Sequence, residues 1–231
     1  MIWDHVLAAT FALGFPLLTT PVYLRRKPAL LAGDSRVRIR EYRETIVWLS
    51  SMGVVTLVLW VLTGRSLDQL GLGSGVGFGW RSAAAAAIAL AGVTLLRVQT
   101  RFIRRDPATR EAARETLYEE RDFLPATRRE LRWFRGVSVA AGVGEELFYR
   151  GFLLAYLTVW MPLLWAVVVS SVLFGFAHVM HGARATARST VAGIVLAGLF
   201  VLSGSLWASM LLHTVIDWAG GDSGYAVFST D

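Results

Sequence analysis

The chain has 231 residues, of which 55% are hydrophobic and 17% charged, a composition that is typical of a polytopic membrane protein and argues against a soluble domain. Its formal net charge of +6 comes from basic residues that cluster between apolar runs. This placement suits cytoplasmic loops and anionic headgroups, so we expect membrane lipids as partners and no nucleic acid. The absence of cysteine excludes a disulfide framework, a thiol nucleophile and a thiolate metal site.

Seven apolar runs predict an all-α fold, a polytopic transmembrane helix bundle of about seven spans. The spans are placed at about residues 5–24, 45–62, 82–96, 137–160, 162–180, 190–202 and 206–218. Pro16 and Pro21 are expected to bend the first span. A glycine-rich connection at residues 71–79 precedes the third. In the sixth, Gly193 and Ala197 form a small-xxx-small pair that favours close helix packing.

Residues 97–135 are the one long soluble stretch, with eleven arginines and seven acidic residues. Asp106 followed by Pro107 predicts a helix start, with aspartate as the cap and proline at the first helical position. Thr127 with Glu130 three residues later predicts a capping box that begins a second short helix. The stretch is interpreted either as an interfacial helix region beside a functional site or as a solvated charged linker.

The distribution of basic residues predicts the orientation. The loops after the first, third and fifth spans hold seven, eleven and two basic residues, whereas those after the second, fourth and sixth hold at most Arg65 and Arg81. By the positive-inside rule, we expect a multi-pass integral protein with its N-terminus outside and its C-terminus in the cytoplasm. The plasma (inner) membrane is the expected location.

The predicted fourth span contains two carboxylates and a guanidinium: Glu145, Glu146 and Arg150. Ionisable groups at membrane depth are expensive, so they face a bundle interior and indicate function. On a helix, Glu146 and Arg150 stand at i,i+4 and can pair, whereas Glu145 is turned about 100° away from Glu146. The spacing therefore predicts a structural role for the Glu146–Arg150 pair and leaves Glu145 available for chemistry.

Three further polar groups fall at membrane depth: His178 near the end of the fifth span, and His213 and Asp217 at i,i+4 in the seventh. One buried histidine alone is more often a core residue than a catalyst. Polar groups on three otherwise apolar helices are more economically explained if they converge.

The chemistry of these groups suggests a hydrolase without a covalent intermediate. A carboxylate with a histidine can deprotonate a water, and a second imidazole beside a carboxylate can stabilise an oxyanion. Serines are present, but none has the context of a nucleophile, so we expect them to pack or to hydrogen-bond between helices.

The ordered set Glu145-Glu146-x-x-x-Arg150, Phe174-x-x-x-His178 and His213-x-x-x-Asp217 resembles the CPBP family. These are intramembrane proteases of the CAAX prenyl protease and bacteriocin-processing type, related to the type II CAAX prenyl endopeptidases. The resemblance covers residues 137–218, about a third of the chain. It implies a helical bundle whose site opens to the cytoplasmic leaflet and whose substrate is a membrane-anchored peptide or protein, either CAAX-like or hydrophobic.

The resemblance also implies roles for the six residues. Glu145 and His178 would activate the water, Glu146 and Arg150 would organise the helix, and His213 with Asp217 would form the oxyanion side. An ionised aspartate cannot donate to an oxyanion, so we expect Asp217 to orient His213. The implied organisation is variable N-terminal helices at 1–96, the charged linker at 97–135, a catalytic core at 136–219 and an exposed tail at 220–231.

Two matters stay open at this point. We expect no cofactor, but zinc held by His178, His213 and a carboxylate is the alternative; His181 is interpreted as a loop histidine or a fourth ligand. The function expected is an intramembrane endopeptidase. The alternatives are a non-catalytic immunity or scaffold protein of the same fold and a proton-coupled transporter, although the repeats typical of transporters are not found.

Overall fold

The computed structural model describes residues 2–73 and 79–230, and all regular secondary structure within them is helical, as predicted. Part of the predicted glycine-rich connection at residues 71–79 lies outside the described residues. The helices of the described part are α1 (Ile2–Leu31), α2 (Ser35–Leu62), α3 (Leu67–Leu70), α4 (Trp80–Arg105), α5 (Pro107–Leu117), α6 (Arg128–Glu145, continued by Glu146–Leu153 and Leu154–Thr158), α7 (Leu163–Phe176), α8 (Ala183–Ser203) and α9 (Leu206–Phe228).

Four helices in the described residues, α1, α2, α4 and α8, are long and apolar enough to cross a membrane. The protein is therefore an integral membrane protein, but the predicted number of seven spans is not confirmed. Helix α7 is apolar yet has only 14 residues, and α6 begins with a charged segment, Arg128–Arg135. The predicted fourth and fifth spans, residues 137–160 and 162–180, fall on these two helices.

The long helices extend beyond the apolar runs because charged residues mark the limit of the lipid-compatible segment and not the end of the helix. Helix α2 begins at its cap, Asp34, whose carboxylate accepts from the backbone N–H of Val37 at 3.2 Å. The capping box predicted at Thr127 and Glu130 is present. The helix that it starts is not short, however, because it continues directly into the segment that carries Glu145.

The C-terminal segment differs from the prediction of an exposed tail at residues 220–231. Helix α9 continues to Phe228. Glycines on this part of the helix let it pack against the linker: a side chain at Gly221 would meet the ring of Phe134, and one at Gly224 would meet Leu124. The glycines that indicate a flexible tail in the sequence are thus sites of close packing.

Polar contacts gather at the two ends of the bundle. At one end, Arg65, just after α2, pairs with Asp4 of α1 at 2.5 Å. At the other end, Arg135 at the start of α6 pairs with Asp222 of α9 at 3.1 Å. Most of the arginines lie at this second end, which is called the basic end below.

The helix that carries Glu145 packs closely against two neighbours. The Cα of Gly144 lies 3.0 Å from the position that a Cβ on Gly53 of α2 would occupy, and a Cβ on Gly144 itself would collide with the carbonyl oxygen of Leu49. On another face of α6, a Cβ on Gly142 would collide with Thr214 of α9. Small residues that let backbones approach are the usual means of helix association in membranes.

The Gly144→Ala variant is expected to lose about 1–3 kcal/mol of stability, because the added methyl group forces α2 and α6 apart. The matched control is Gly198→Ala in α8, where an added Cβ has no neighbouring atom within 4 Å. There the change should stabilise the helix by roughly 0.5–1 kcal/mol. Thermal unfolding in detergent, followed by tryptophan fluorescence, measures both; equal and unchanged midpoints would contradict the close approach.

Candidate active site

The backbone of α6 changes its winding at the candidate site. Glu145 is the last residue of the α-helical part, and Glu146–Leu153 form a π-helix before α-helical geometry resumes. π-helical segments are rare and frequently lie at functional sites. The change of winding brings both carboxylates to the junction of the two helix types, and Arg150 lies one turn further along.

Glu146 and Arg150 form the buried ion pair that the spacing predicts. Nη1 of Arg150 donates to Oε1 of Glu146 at 2.6 Å, and the two residues are 1% and 0% exposed respectively. Nη2 of Arg150 also donates to the carbonyl oxygen of Gly193 at 3.2 Å, and the guanidinium lies over the ring of Phe174 at 4.4 Å. The pair therefore ties α6 to α7 and α8.

His213 of α9 lies among three carboxylates. Its Nδ1 is 2.8 Å from Oε1 of Glu146; because that carboxylate is paired with Arg150, Nδ1 carries the hydrogen and donates. Nε2 faces the carboxylates of Glu145 at 3.5 Å and of Asp217 at 3.8 Å. The distance to Asp217 allows an ion pair but is too long for a hydrogen bond.

The sequence predicts Asp217 as the residue that orients His213, whereas the structure gives this hydrogen bond to Glu146. The reason is that Asp217 lies one turn along the same helix and reaches only the Nε2 side of the ring. Glu146 approaches Nδ1 from the facing helix. A single oxygen of Glu146 therefore serves both Arg150 and His213.

His178 lies just beyond the end of α7, in the turn before the 3₁₀ segment Val179–His181, and not within a helix as predicted. Its Nδ1 is 2.9 Å from the carbonyl oxygen of Phe174. A carbonyl can only accept, so Nδ1 donates and Nε2 presents its lone pair. Fixing one ring nitrogen in this way determines what the other can do.

A cavity of about 1010 Å³ runs through the bundle, and four of the predicted site residues line it: Glu145, His178, His213 and Asp217. Glu146 and Arg150 lie behind this wall. In the described part of the chain, no hydrogen bond or ion pair joins Glu145 directly to His178. Both side chains are therefore available to a molecule in the cavity.

Phe174 contributes more to the site than the sequence indicates. Its ring contacts His213 edge-on at 5.6 Å between centroids and His178 at 5.0 Å, in addition to the guanidinium of Arg150. Its position four residues before His178 in the sequence is consistent with the contact between its carbonyl oxygen and that histidine. The contacts of the ring depend on how α6, α7 and α9 pack, which the spacing does not specify.

Some polar residues near the site have structural partners. Ser170 donates to the carbonyl oxygen of Tyr149 at 3.1 Å and Ser209 to that of Leu206 at 3.0 Å, both between or within buried helices. His181 contacts the rings of Tyr23 and Phe123. Across residues 2–73 and 79–230, no three histidine and acidic side chains are grouped as metal ligands.

Residues 128–219 are similar to a known protein family. This segment, which includes all six predicted site residues, matches the family model described as "Type II CAAX prenyl endopeptidase Rce1-like". The match confirms the family that the sequence motifs predict. No curated protein and no solved structure matches the chain.

Proposed function

Since residues 128–219 belong to the type II CAAX prenyl endopeptidase Rce1-like family, we propose that the protein is an intramembrane endopeptidase that hydrolyses membrane-associated peptides. One observation carries the proposal. Glu145, His178 and His213 come from different parts of the bundle and face a single cavity, while an ion pair behind them holds the helix that carries Glu145.

In the proposed reaction, a water lies between the carboxylate of Glu145 and Nε2 of His178. Glu145 takes a proton from this water as its oxygen adds to the carbon of the scissile carbonyl. The contact of His178 with the Phe174 carbonyl supports this role, because it leaves Nε2 as an acceptor that can align the water. When the C–N bond breaks, protonated Glu145 returns the proton to the leaving nitrogen.

The carbonyl oxygen gains negative charge during the attack, and His213 is proposed to stabilise it. Its Nδ1 donates to Glu146, so the ring is already oriented. In the imidazolium form, Nε2 donates towards the cavity, and Asp217 at 3.8 Å supports the positive charge of the ring. Glu146 and Arg150 position this group without contacting the substrate.

The proposed substrates are membrane-anchored proteins or peptides, either CAAX-like or with a hydrophobic segment. Apolar side chains of α1 and α2, such as Phe15, Leu18 and Trp48, line the same cavity as the site residues and favour such a substrate. We place the basic end of the bundle in the cytoplasm, and the N-terminus outside, by the positive-inside rule. The plasma (inner) membrane is the proposed location.

The test is cleavage of a fluorogenic, lipidated C-terminal peptide by the purified protein in detergent, with the products identified by mass spectrometry. Glu145→Gln protein, prepared in the same way, gives the background. We expect cleavage at one peptide bond, and we expect it to persist with a zinc chelator. Loss with the chelator and recovery with zinc would instead favour a site in which His178 and His213 bind metal.

The same experiment separates the alternative functions. An immunity or scaffold protein of this fold would bind the peptide without cleaving it, and a transporter would move protons or solutes in proteoliposomes without cleavage. Cleavage no faster than in a sample without protein, over peptides with several lipids and sequences, would reject the endopeptidase.

A further inference from the structure

The connection between α5 and α6, residues 118–127, is called the strap here. It lies outside the segment that matches the family, and the proposed reaction uses none of its residues. Three of its side chains, Glu120, Phe123 and Leu124, nevertheless form part of the wall of the active-site cavity. The strap therefore covers the cavity at the basic end of the bundle.

The middle of the strap is anchored by a buried carboxylate. Asp122 is fully buried; it accepts a hydrogen bond from the hydroxyl of Tyr23 at 3.0 Å and pairs with Lys27 at 3.3 Å. Its backbone carbonyl accepts from Nε of Arg38 at 3.2 Å. Removing partners from a buried charge is strongly unfavourable, so this part of the strap stays attached to α1 and α2.

Aromatic packing strengthens the same anchor. The ring of Phe123 lies edge-on to Tyr42 at 5.3 Å between centroids and to Phe134 at 5.8 Å. The hydroxyl of Tyr42 donates to the carbonyl oxygen of Phe123 at 2.5 Å. Asp122 and Phe123 thus connect the strap to α1, α2 and α6 through a buried carboxylate and through aromatic packing.

The other edge of the strap contacts α8 through two partly exposed ion pairs and through a hydrogen bond from the backbone N–H of Arg184 to Glu119 at 3.3 Å. Glu119 pairs with Arg184 at 3.6 Å, and Glu120 pairs with Arg188. The side chains of the two arginines are 71% and 41% exposed, and those of Glu119 and Glu120 are 35% and 23% exposed. Exposed pairs contribute little to stability and are screened by salt, so this edge separates far more easily than the anchor.

We propose that the strap is a hinged cover of the active-site cavity. Separation of the Glu119–Arg184 and Glu120–Arg188 pairs opens the route by which the peptide part of a substrate reaches Glu145, while Asp122 remains the hinge. The nature of the passing molecule rests on the proposed function. Opening of the strap does not, because it can be measured without catalysis.

The first experiment measures opening directly, and the absence of natural cysteines makes it specific. Ala192 lines the cavity, so an Ala192→Cys protein reports access through its rate of reaction with a charged, water-soluble maleimide. Adding Glu119→Lys and Glu120→Lys turns attraction into repulsion and should raise the labelling rate roughly threefold to tenfold. Higher salt should raise the rate with the native strap and lower it with the reversed one.

The matched control reverses two acids of the neighbouring helix α5, Glu111→Lys and Glu115→Lys, in the same Ala192→Cys background. The change in net charge is the same, but these residues lie outside the cavity wall and do not pair with α8. Their reversal should leave the labelling rate unchanged. An equal rate in the strap variant and in the control would overturn the proposal.

The second experiment tests whether opening is needed for cleavage. Glu120→Cys/Arg188→Cys protein is joined by a short, reducible bis-methanethiosulfonate and assayed with the lipidated peptide. Most of the activity should be lost and should return with reductant, whereas the same linkage between Asp4→Cys and Arg65→Cys, at the opposite end, should have no effect. Full activity of the linked strap would also overturn the proposal. If the parent protein cleaves no peptide, that result contradicts only the proposed endopeptidase function. The labelling rates still decide whether the strap opens.

Discussion

The Glu145→Gln protein is expected to hydrolyse the lipidated peptide about 10²–10⁴ times more slowly than the parent protein, the range that a positioned acid–base group contributes. Glutamine has nearly the same shape, but it cannot take a proton from water. The effect should appear in kcat and leave KM almost unchanged, since Glu145 acts on the water and not on the bound peptide.

The control for this variant is Glu41→Gln. Glu41 lines the same cavity but pairs with Arg26, at 2.7 Å, and not with the histidines. It should retain activity within a few-fold of the parent protein, which would exclude a general effect of removing negative charge from the cavity. Tryptophan fluorescence during heating checks that both variants are folded. Undiminished cleavage by folded Glu145→Gln protein would show that another group activates the water.

The Glu146→Ala protein is expected to lose about 3–5 kcal/mol of stability, the effect of leaving one member of a buried ion pair without its partner. Arg150 is 1% exposed and would keep only the carbonyl oxygen of Gly193 and the ring of Phe174. Activity should fall as well, because Nδ1 of His213 loses its acceptor. Unfolding in detergent measures the first effect and peptide hydrolysis the second.

A double variant separates these two effects. Replacing both members, as Glu146→Leu/Arg150→Met, removes the unpaired charge and should recover much of the stability. It should not recover activity, because His213 still lacks its partner. Glu111→Ala serves as the comparison: this acid pairs with Arg114 at 3.7 Å on the surface of α5, so its loss should change stability by less than about 1 kcal/mol. Full activity of the double variant would show that Glu146 does not position His213.

The sequence predicts which residues form the candidate site more completely than it predicts how they are connected. Polar residues on apolar helices are visible in the sequence because few charges are tolerated there. The hydrogen bond from His213 to Glu146 is not visible, since it depends on how α9 is rotated against α6. The π-helical winding at Glu146–Leu153 also has no clear sequence signal, because neither proline nor a change in hydrophobic period marks it.

The fold, like the candidate site, is only partly predictable from the sequence. Apolar runs locate the helices, and the caps at Asp106 and Thr127 are where the residue types predict them. The sequence does not predict where the long helices end. Charged residues end the apolar run, but the helical backbone hydrogen bonds continue through them. The buried linker contact between Arg38 and Glu130, at 3.0 Å, joins residues that are 92 positions apart, so local spacing carries no information about it.

The close contacts at Gly142 and Gly144 have a consequence for how activity depends on temperature. They hold two faces of α6 against α2 and α9 directly before Glu145. The orientation of this carboxylate is therefore fixed when the chain folds and need not be found again in each turnover. The rate of peptide hydrolysis should therefore rise with temperature until the helices separate. The loss of activity and the loss of structure should then coincide in one cooperative transition.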